Sequence, residues 1–276
     1  MDLLTNMDTQ ITILIENTVR LPRLIAEHGW AVLIENKYGK VLFDTGQSSE
    51  VLRNAALLNI DMSTIDKIVI SHGHYDHTGG LAEVLEVNPG ASVFTHPDVF
   101  KPKFYMRPGG TAREIGMPIN VVCSNRFSFS RESIMLFPGC LTTGEIPKSK
   151  PDLTPRCFFE NSDVTSLDLI KDDQALIIES KKGLVVVLGC CHSGLKATFD
   201  QVKNLTGQSK IYMVIGGMHL VDASPEMVEQ TIQALREYSV MKIGLGHCTG
   251  YLGAFTLQTA FPNQCFPCIT GVKIKV

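Results

Sequence analysis

The sequence predicts a mixed α/β protein in which two β-sheets pack together with helices outside. Three observations carry this reading. Strand-like runs alternate with amphipathic helical runs in both halves of the 276-residue chain. Strand candidates such as Ile68-Val69-Ile70 offer no polar face to water, as expected of strands covered on both sides. Between the halves, residues 96–160 lose their periodicity and hold eight of the thirteen prolines together with Gly109-Gly110.

The elements follow in order. Residues 11–16 and 31–35 are short β-branched or apolar runs, and a turn at 37–39 leads to the return strand 40–43. Asp44-Thr45-Gly46 breaks the pattern. Val51, Leu52, Ala55 and Leu58 recur at helical spacing over 48–58, behind Ser48 or Ser49 as N-cap. A buried strand spans 67–70, a helix opens over 78–85, and a further strand covers 91–95. Periodicity returns with strands 174–179 and 183–188, a helix over 195–205 and a strand at 211–215. Ser224-Pro225 caps a helix running to about residue 238, with Glu226 and Glu229 in its first turns, and strand 242–245 follows. One domain over 1–276 is expected, with the Pro- and Gly-rich stretch at about 96–160 as a lid-like insertion.

Composition removes several functional classes. With 44% hydrophobic and 19% charged residues the chain is not intrinsically disordered. A net charge of −3 without a basic run argues against nucleic acid as partner. The longest continuous apolar run is about 184–188, too short for a membrane span. Residues 1–10 are polar and acidic, with no charged-then-apolar leader, so a cytoplasmic location is expected. Eight cysteines would suggest disulfides in a short secreted chain. In a chain of this length, with Cys190 and Cys191 adjacent, they point instead to free thiols in a reducing compartment.

The placement of the eight histidines carries the chemistry. His72-Gly73-His74-Tyr75-Asp76-His77 directly follows the buried strand 67–70. Imidazole and carboxylate suit zinc, manganese or iron near neutral pH. His-x-His sets two imidazoles on one side of an extended segment, and Asp76 and His77 follow where the chain turns into a helix. Four potential ligands within six residues are expected to hold one or two divalent ions, zinc first.

The segment from Ser71 to Gly80, with Asp44-Thr45-Gly46 upstream, closely resembles the His-x-His-x-Asp-His signature of the metallo-β-lactamase superfamily. Further pieces are similar to the branch containing a methanogen dihydropterin ribofuranosyl-aminobenzene phosphate synthase and related uncharacterised hydrolases. These are Glu27-His28-Gly29, Thr142-Thr143-Gly144-Glu145-Ile146-Pro147, and residues 189–194, 216–220 and 246–250. The resemblance implies a four-layer αββα sandwich with a metal site at the edge between two mixed sheets. It implies that His72 and His74 serve one metal, that Asp76 and His77 serve a second, and that His247 is the last histidine ligand. Relatives carry a third histidine before a strand pair and a bridging aspartate after it. Strand order puts Asp173 at the first of these places and His192 at the second, with Cys191 beside it. His219 and His28, in loops of the branch pattern, are candidates to touch metal or substrate, and Asp44 to orient a ligand.

Lys101, Lys103, Arg107 and Arg113 suggest a small anionic or phosphorylated substrate, and Glu145 is a weak candidate to line the site. Cys265-Phe266-Pro267-Cys268 has redox or zinc spacing but no companion pair and reads as two unrelated thiols. The expected activity is metal-dependent hydrolysis of an ester, phosphoester or similar bond, with Asp76 and His219 as catalytic residues. One alternative is a transferase joining a pterin diphosphate and an aromatic amine with release of pyrophosphate. The others are a di-iron oxidoreductase and a non-catalytic metal-binding module. Oligomeric state is not legible.

Overall fold

A computed structural model describes residues 8–107, 109–118, 121, 124–148 and 157–276. Pro108, Pro151 and Pro155 of the Pro-rich stretch lie outside the described residues. One seven-stranded sheet runs in the order Lys273–Lys275, Gln10–Ile15, Ala31–Asn36, Gly39–Phe43, Lys67–Val69, Ser92–Thr95, Phe127–Phe129. The other runs Cys265–Pro267, Lys242–Leu245, Ile211–Gly216, Gly183–Val187, Leu176–Ser180, Cys140–Thr142, Met135–Phe137. In each, three antiparallel pairs give way to three parallel ones.

Strand periodicity explains the layering. Successive side chains face opposite ways, and here both faces are apolar. Ile11, Ile13, Val32, Val41, Phe43 and Val69 point inward to meet Leu176, Ile178, Val185, Val187, Met213 and Ile215 of the other sheet. The alternate residues Leu33, Leu42 and Ile68 face outward onto Val51, Ala55, Val84 and Leu85 of the helices Glu50–Leu57 and Leu81–Val87. On the far side Ile177, Val186, Val214 and Ile243 meet Phe199, Leu235 and Leu257 of Leu195–Thr206, Pro225–Glu237 and Gly250–Ala260. The result is the expected four-layer αββα sandwich. No helix among the described residues is long and apolar enough to cross a membrane.

Three details differ from the sequence reading. The helix expected over 78–85 is split into Tyr75–Thr78 and Leu81–Val87. The break lets the backbone press against residues 46–48, and a Cβ on Gly79 would lie 2.1 Å from the Gln47 carbonyl oxygen. The helix Gly250–Ala260 lacks the polar-apolar stripe that marks a surface helix, because Tyr251, Leu252 and Phe255 are exposed apolar residues. The stretch read as an irregular lid also supplies edge strands to both large sheets. Its Phe104–Tyr105 and Arg113–Glu114 join Phe158–Phe159 in a small third sheet.

The parallel strands of both sheets end at a common rim, where chains of this architecture gather functional groups. Asp44 follows Gly39–Phe43, His72 follows Lys67–Val69, Cys190 and His192 follow Gly183–Val187, His219 follows Ile211–Gly216, and His247 follows Lys242–Leu245.

Candidate metal centre

Two nests of ligand-type atoms form at that rim. In the first, atoms of His72, His74 and His192 lie within 4.8 Å of one another. All three rings are buried, and His72 Nε2 stands 2.9 Å from His74 Nδ1. Phe158 stacks on His74 with ring centroids 5.5 Å apart. In the second, Asp76 Oδ2 lies 3.2 Å from His28 Nε2, 3.3 Å from His247 Nε2 and 3.7 Å from His77 Nε2.

The orientation of these rings is built in. Asp44, fully buried, accepts from the Ser71 backbone N–H, the Ser71 hydroxyl and His77 Nδ1, each at 2.7 Å. The Ser71 hydroxyl gives its one hydrogen to that carboxylate and so accepts from His72 Nδ1 at 2.9 Å. His72 therefore turns its Nε2 lone pair toward the nests, and His77, with Nδ1 held by Asp44, turns its Nε2 the same way, the outer support that ligand histidines require. Burial opposes charge on His77, but Asp44 and Asp76 outweigh it and raise its pKa to about 9. Burial also raises the Asp44 carboxyl, against His77 and Ser71. Three donors on one carboxylate support the charged pair as the metal-free arrangement.

The backbone is strained at the same rim. Asp44, Cys191, His219 and His247 have φ of +61°, +60°, +46° and +49°. Non-glycine residues rarely adopt this region, and such outliers gather at functional sites.

The donor set fits a metal. His74 Nε2, both ring nitrogens of His192, and His219 Nδ1 are buried without a hydrogen-bond partner. Each such orphan costs about 1–3 kcal/mol, and a cation facing His74 Nε2 and the one His192 nitrogen that bears a lone pair removes that cost there. Burial first holds His72, His74 and His192 well below the ordinary imidazole range, helped by the charges of His77 at His72 and Lys103 at His74. They are neutral and ready to ligate.

This gives a pH prediction. In the unfolded chain these three rings take up protons near pH 6.5, while in the folded chain they stay neutral. The unfolded state then binds more protons, so stability falls as pH drops through that value. His77 acts oppositely: its stabilisation is complete below about pH 6.5 and fades as pH rises through about 9. Chelator-treated protein is expected to show a denaturation midpoint that falls steadily from about pH 7 to about pH 5. A level midpoint over that range would contradict the assignment of neutral buried rings.

The thiols and the neighbouring aspartates correct the strand-order expectation. His192 joins His72 and His74 as a third imidazole. Cys190 stands between the nests: its Sγ is 3.1 Å from His77 Nε2, and it shares ligand groups with His72 and His77 and with His247 and Cys248. Cys191 turns away, into the core beside Leu195 and toward Thr198. Asp173 enters neither nest, because its Oδ2 accepts from the Ser193 backbone N–H at 2.7 Å and fixes the turn that carries His192. His219 lies beside His192, ring centroids 4.5 Å apart, yet belongs to no ligand group among the described residues. Glu145 is drawn off by Arg131 and His96 and does not line the cleft.

The nests open into a cleft of about 590 Å³. Its outer walls include Tyr75, Tyr105, Phe158, Arg107 and Arg113. The Arg113 guanidinium lies over the Tyr75 ring at 5.3 Å, and Arg107 Nε donates to the Tyr105 hydroxyl at 3.1 Å.

Comparison with known proteins agrees with this geometry. Residues 24–131 match the family model described as the metallo-beta-lactamase superfamily. A curated relative from Methanocaldococcus jannaschii is 38% identical over 243 residues, 82% of each chain. It is named 7,8-dihydropterin-6-methyl-4-(beta-D-ribofuranosyl)-aminobenzene-5'-phosphate synthase. The chain belongs to the metallo-beta-lactamase superfamily. A solved structure described as a metal-dependent hydrolase of the beta-lactamase superfamily superposes with a TM-score of 0.83 at 28% identity, covering 97% of this chain and 99% of that one. Zinc-bound PqqB from Methylobacterium extorquens, with a TM-score of 0.57 at 11% identity over 97% of this chain and all of that one, shares the fold alone.

Within this superfamily chain, sequence reasoning missed Cys190, Cys248, Asn17 and Phe158. The usable signal for Cys190 was side-chain alternation beyond the strand Gly183–Val187, which sends Cys190 and Cys191 to opposite faces.

Proposed function

We propose that the chain is a metal-dependent hydrolase acting on an ester or phosphoester bond of a small, anionic, aromatic molecule. The observation that carries this reading is the set of buried, unpartnered imidazole nitrogens facing one another beside Asp76 at the floor of a cleft. His72, His74 and His192 would hold one divalent ion, and Asp76, His77 and His247 a second, with the Cys190 thiol in reach of both groups. Imidazole, carboxylate and thiol donors together favour zinc, ahead of manganese or iron. Bound there, such an ion lowers the pKa of water toward neutrality and polarises the scissile carbonyl or phosphoryl oxygen.

The protein's own groups supply the rest. Asp76 sits where its carboxylate can accept a hydrogen bond from an attacking water and hold it in line. Half-buried His219, with Nδ1 unpartnered beside His192, is placed to donate to a departing oxyanion. Phe158 shields His74 from solvent. Tyr75, Tyr105 and Phe158 offer faces for an aromatic ring, and Arg107 and Arg113 offer charge for a phosphate or carboxylate. Lys101 and Lys103 do not serve the substrate, because Lys101 pairs with Asp98 and Lys103 is buried with Asp168 and Asp172. The seven described cysteines are free, which supports a reducing, cytoplasmic setting.

One observation favours a second reading. The 38% identity to the pterin-related synthase supports a transfer in which an aromatic amine displaces pyrophosphate from a pterin diphosphate at the same centre. Zinc-loaded protein assayed on aromatic esters and phosphoesters is expected to release product without an amine. Pyrophosphate release from a pterin diphosphate only when an aromatic amine is present would replace hydrolysis with transfer. For either reaction, Arg113→Ala is expected to raise KM about tenfold with kcat nearly unchanged, as loss of a charge-assisted contact does. An unchanged KM would remove Arg113 from substrate recognition.

A further inference from the structure

Asn17 lies between two histidines that both face Asp76. Its Oδ1 stands 3.0 Å from His247 Nδ1, and its Nδ2 stands 3.3 Å from His28 Nδ1. The orientation of this amide is fixed independently: Oδ1 also accepts from the Gly29 backbone N–H at 3.2 Å, and a backbone N–H can only donate. Asn17 is itself held from both sides. The Glu16 carboxylate accepts from the His247 backbone N–H at 2.7 Å and from the Thr18 backbone N–H at 2.6 Å.

Hydrogen-bond logic then separates the two rings. An amide oxygen only accepts, so His247 carries its hydrogen on Nδ1 and presents a bare lone pair at Nε2. An amide nitrogen only donates, so His28 Nδ1 is the acceptor and the neutral ring carries its hydrogen on Nε2. That hydrogen faces Asp76 Oδ2 at 3.2 Å, while the His247 lone pair sits 3.3 Å from the same oxygen and 3.2 Å from His77 Nε2. Exposure runs in parallel: the His28 side chain is 54% exposed and that of His247 fully buried.

We propose that Asn17 sorts the two imidazoles into different jobs. His247 offers Nε2 to a metal ion, whereas His28 keeps its Nε2 hydrogen, donates it to Asp76 and acts as a positioning residue for that carboxylate. The metal half of this assignment rests on the hydrolase reading above, and the tautomer half does not. Although His28, Asp76 and His247 lie close enough to form a ligand group, His28 is not a ligand in it.

The test uses the full chain in two arms. Long-range proton–nitrogen NMR of the metal-free protein, assigned with His28→Gln and His247→Gln, reads the tautomers. The expected pattern is a hydrogen-bearing nitrogen at Nε2 of His28 and at Nδ1 of His247. Asn17→Asp, which leaves no donor at that place, is expected to put a hydrogen on His28 Nδ1 and to leave His247 unchanged. The same tautomer on both rings, or a His28 ring unmoved by Asn17→Asp, overturns the sorting. In the second arm, zinc is titrated and counted by elemental analysis. His28→Gln is expected to weaken binding about tenfold, as loss of an outer hydrogen-bond partner does, with the number of bound ions unchanged. His247→Gln is expected to lose one equivalent. Loss of an equivalent in His28→Gln overturns the positioning role. A wild-type protein that binds no zinc overturns the hydrolase reading and the ligand role of His247, while the ring spectra still decide the sorting.

Discussion

Replacing His192 with alanine is expected to strip the first nest of its ion and to lower activity by at least about 100-fold. That is the upper end of what losing a mere support of a metal ligand costs. The expectation follows from placement. Neither ring nitrogen of His192 has a partner, and both other members of its nest, His72 and His74, are buried. With the third imidazole gone, two neutral rings are left to hold an ion that favours four ligands. Asp173→Asn is the sharp companion. Its carboxylate accepts from the Ser193 backbone N–H and shapes the turn under His192, so a milder loss of about 10-fold is expected with the metal retained. Elemental analysis of both purified variants checks the pair. Full metal in His192→Ala would remove His192 from the ligand set, and lost metal in Asp173→Asn would put Asp173 into it.

The second large effect concerns stability. Lys103 is 1% exposed, and its Nζ donates to Asp172 at 2.9 Å and Asp168 at 3.1 Å. Burial alone would lower its pKa, but the two carboxylates outweigh it and raise the pKa above the usual lysine range. Asp172 passes this anchoring to the metal motif, since its other oxygen accepts from the Gly73 backbone N–H at 2.7 Å. The loop is packed closely there: a Cβ on Gly73 would come within 2.2 Å of the Val99 carbonyl oxygen and 2.9 Å of Lys103 Cε. Lys103→Met leaves two buried carboxylates without their cation, and breaking such a group from one side costs about 3–5 kcal/mol. Denaturant titration at neutral pH is expected to show that loss, and Lys103→Arg, which keeps the charge, is expected to recover part of it. A loss under about 1 kcal/mol in Lys103→Met would mean that water already screens the cluster.

Lys103 also shows how far a sequence reads. In the sequence it belongs to a basic group with Lys101, Arg107 and Arg113, all equally suited to an anion. The fold divides the four. Arg107 and Arg113 line the cleft, Lys101 pairs with Asp98, and Lys103 sinks beneath the metal loop. Spacing along the chain reports only that the four are neighbours in sequence, whereas depth depends on how the small sheet Phe104–Tyr105, Arg113–Glu114, Phe158–Phe159 folds back.

The sequence by itself determined the layer architecture and one corner of the candidate metal centre. Strands apolar on both faces must be covered on both sides, and the resemblance to the metallo-β-lactamase superfamily implies that two such sheets pack together as four layers. His72, His74, Asp76 and His77 fall within six residues on one strand end and turn, so local backbone geometry alone gathers them. Only the tertiary structure decided the rest. Cys190 meets His77 across 113 residues of chain, His247 meets it across 170, and Asn17 meets His247 across 230. These contacts arise where the rims of two separate sheets close on each other. The placement of His192 in a nest and Asp173 outside it, of Cys190 toward His77 and Cys191 toward the core, and of Asn17 between His28 and His247 depends on side-chain direction at that seam, which residue spacing does not encode.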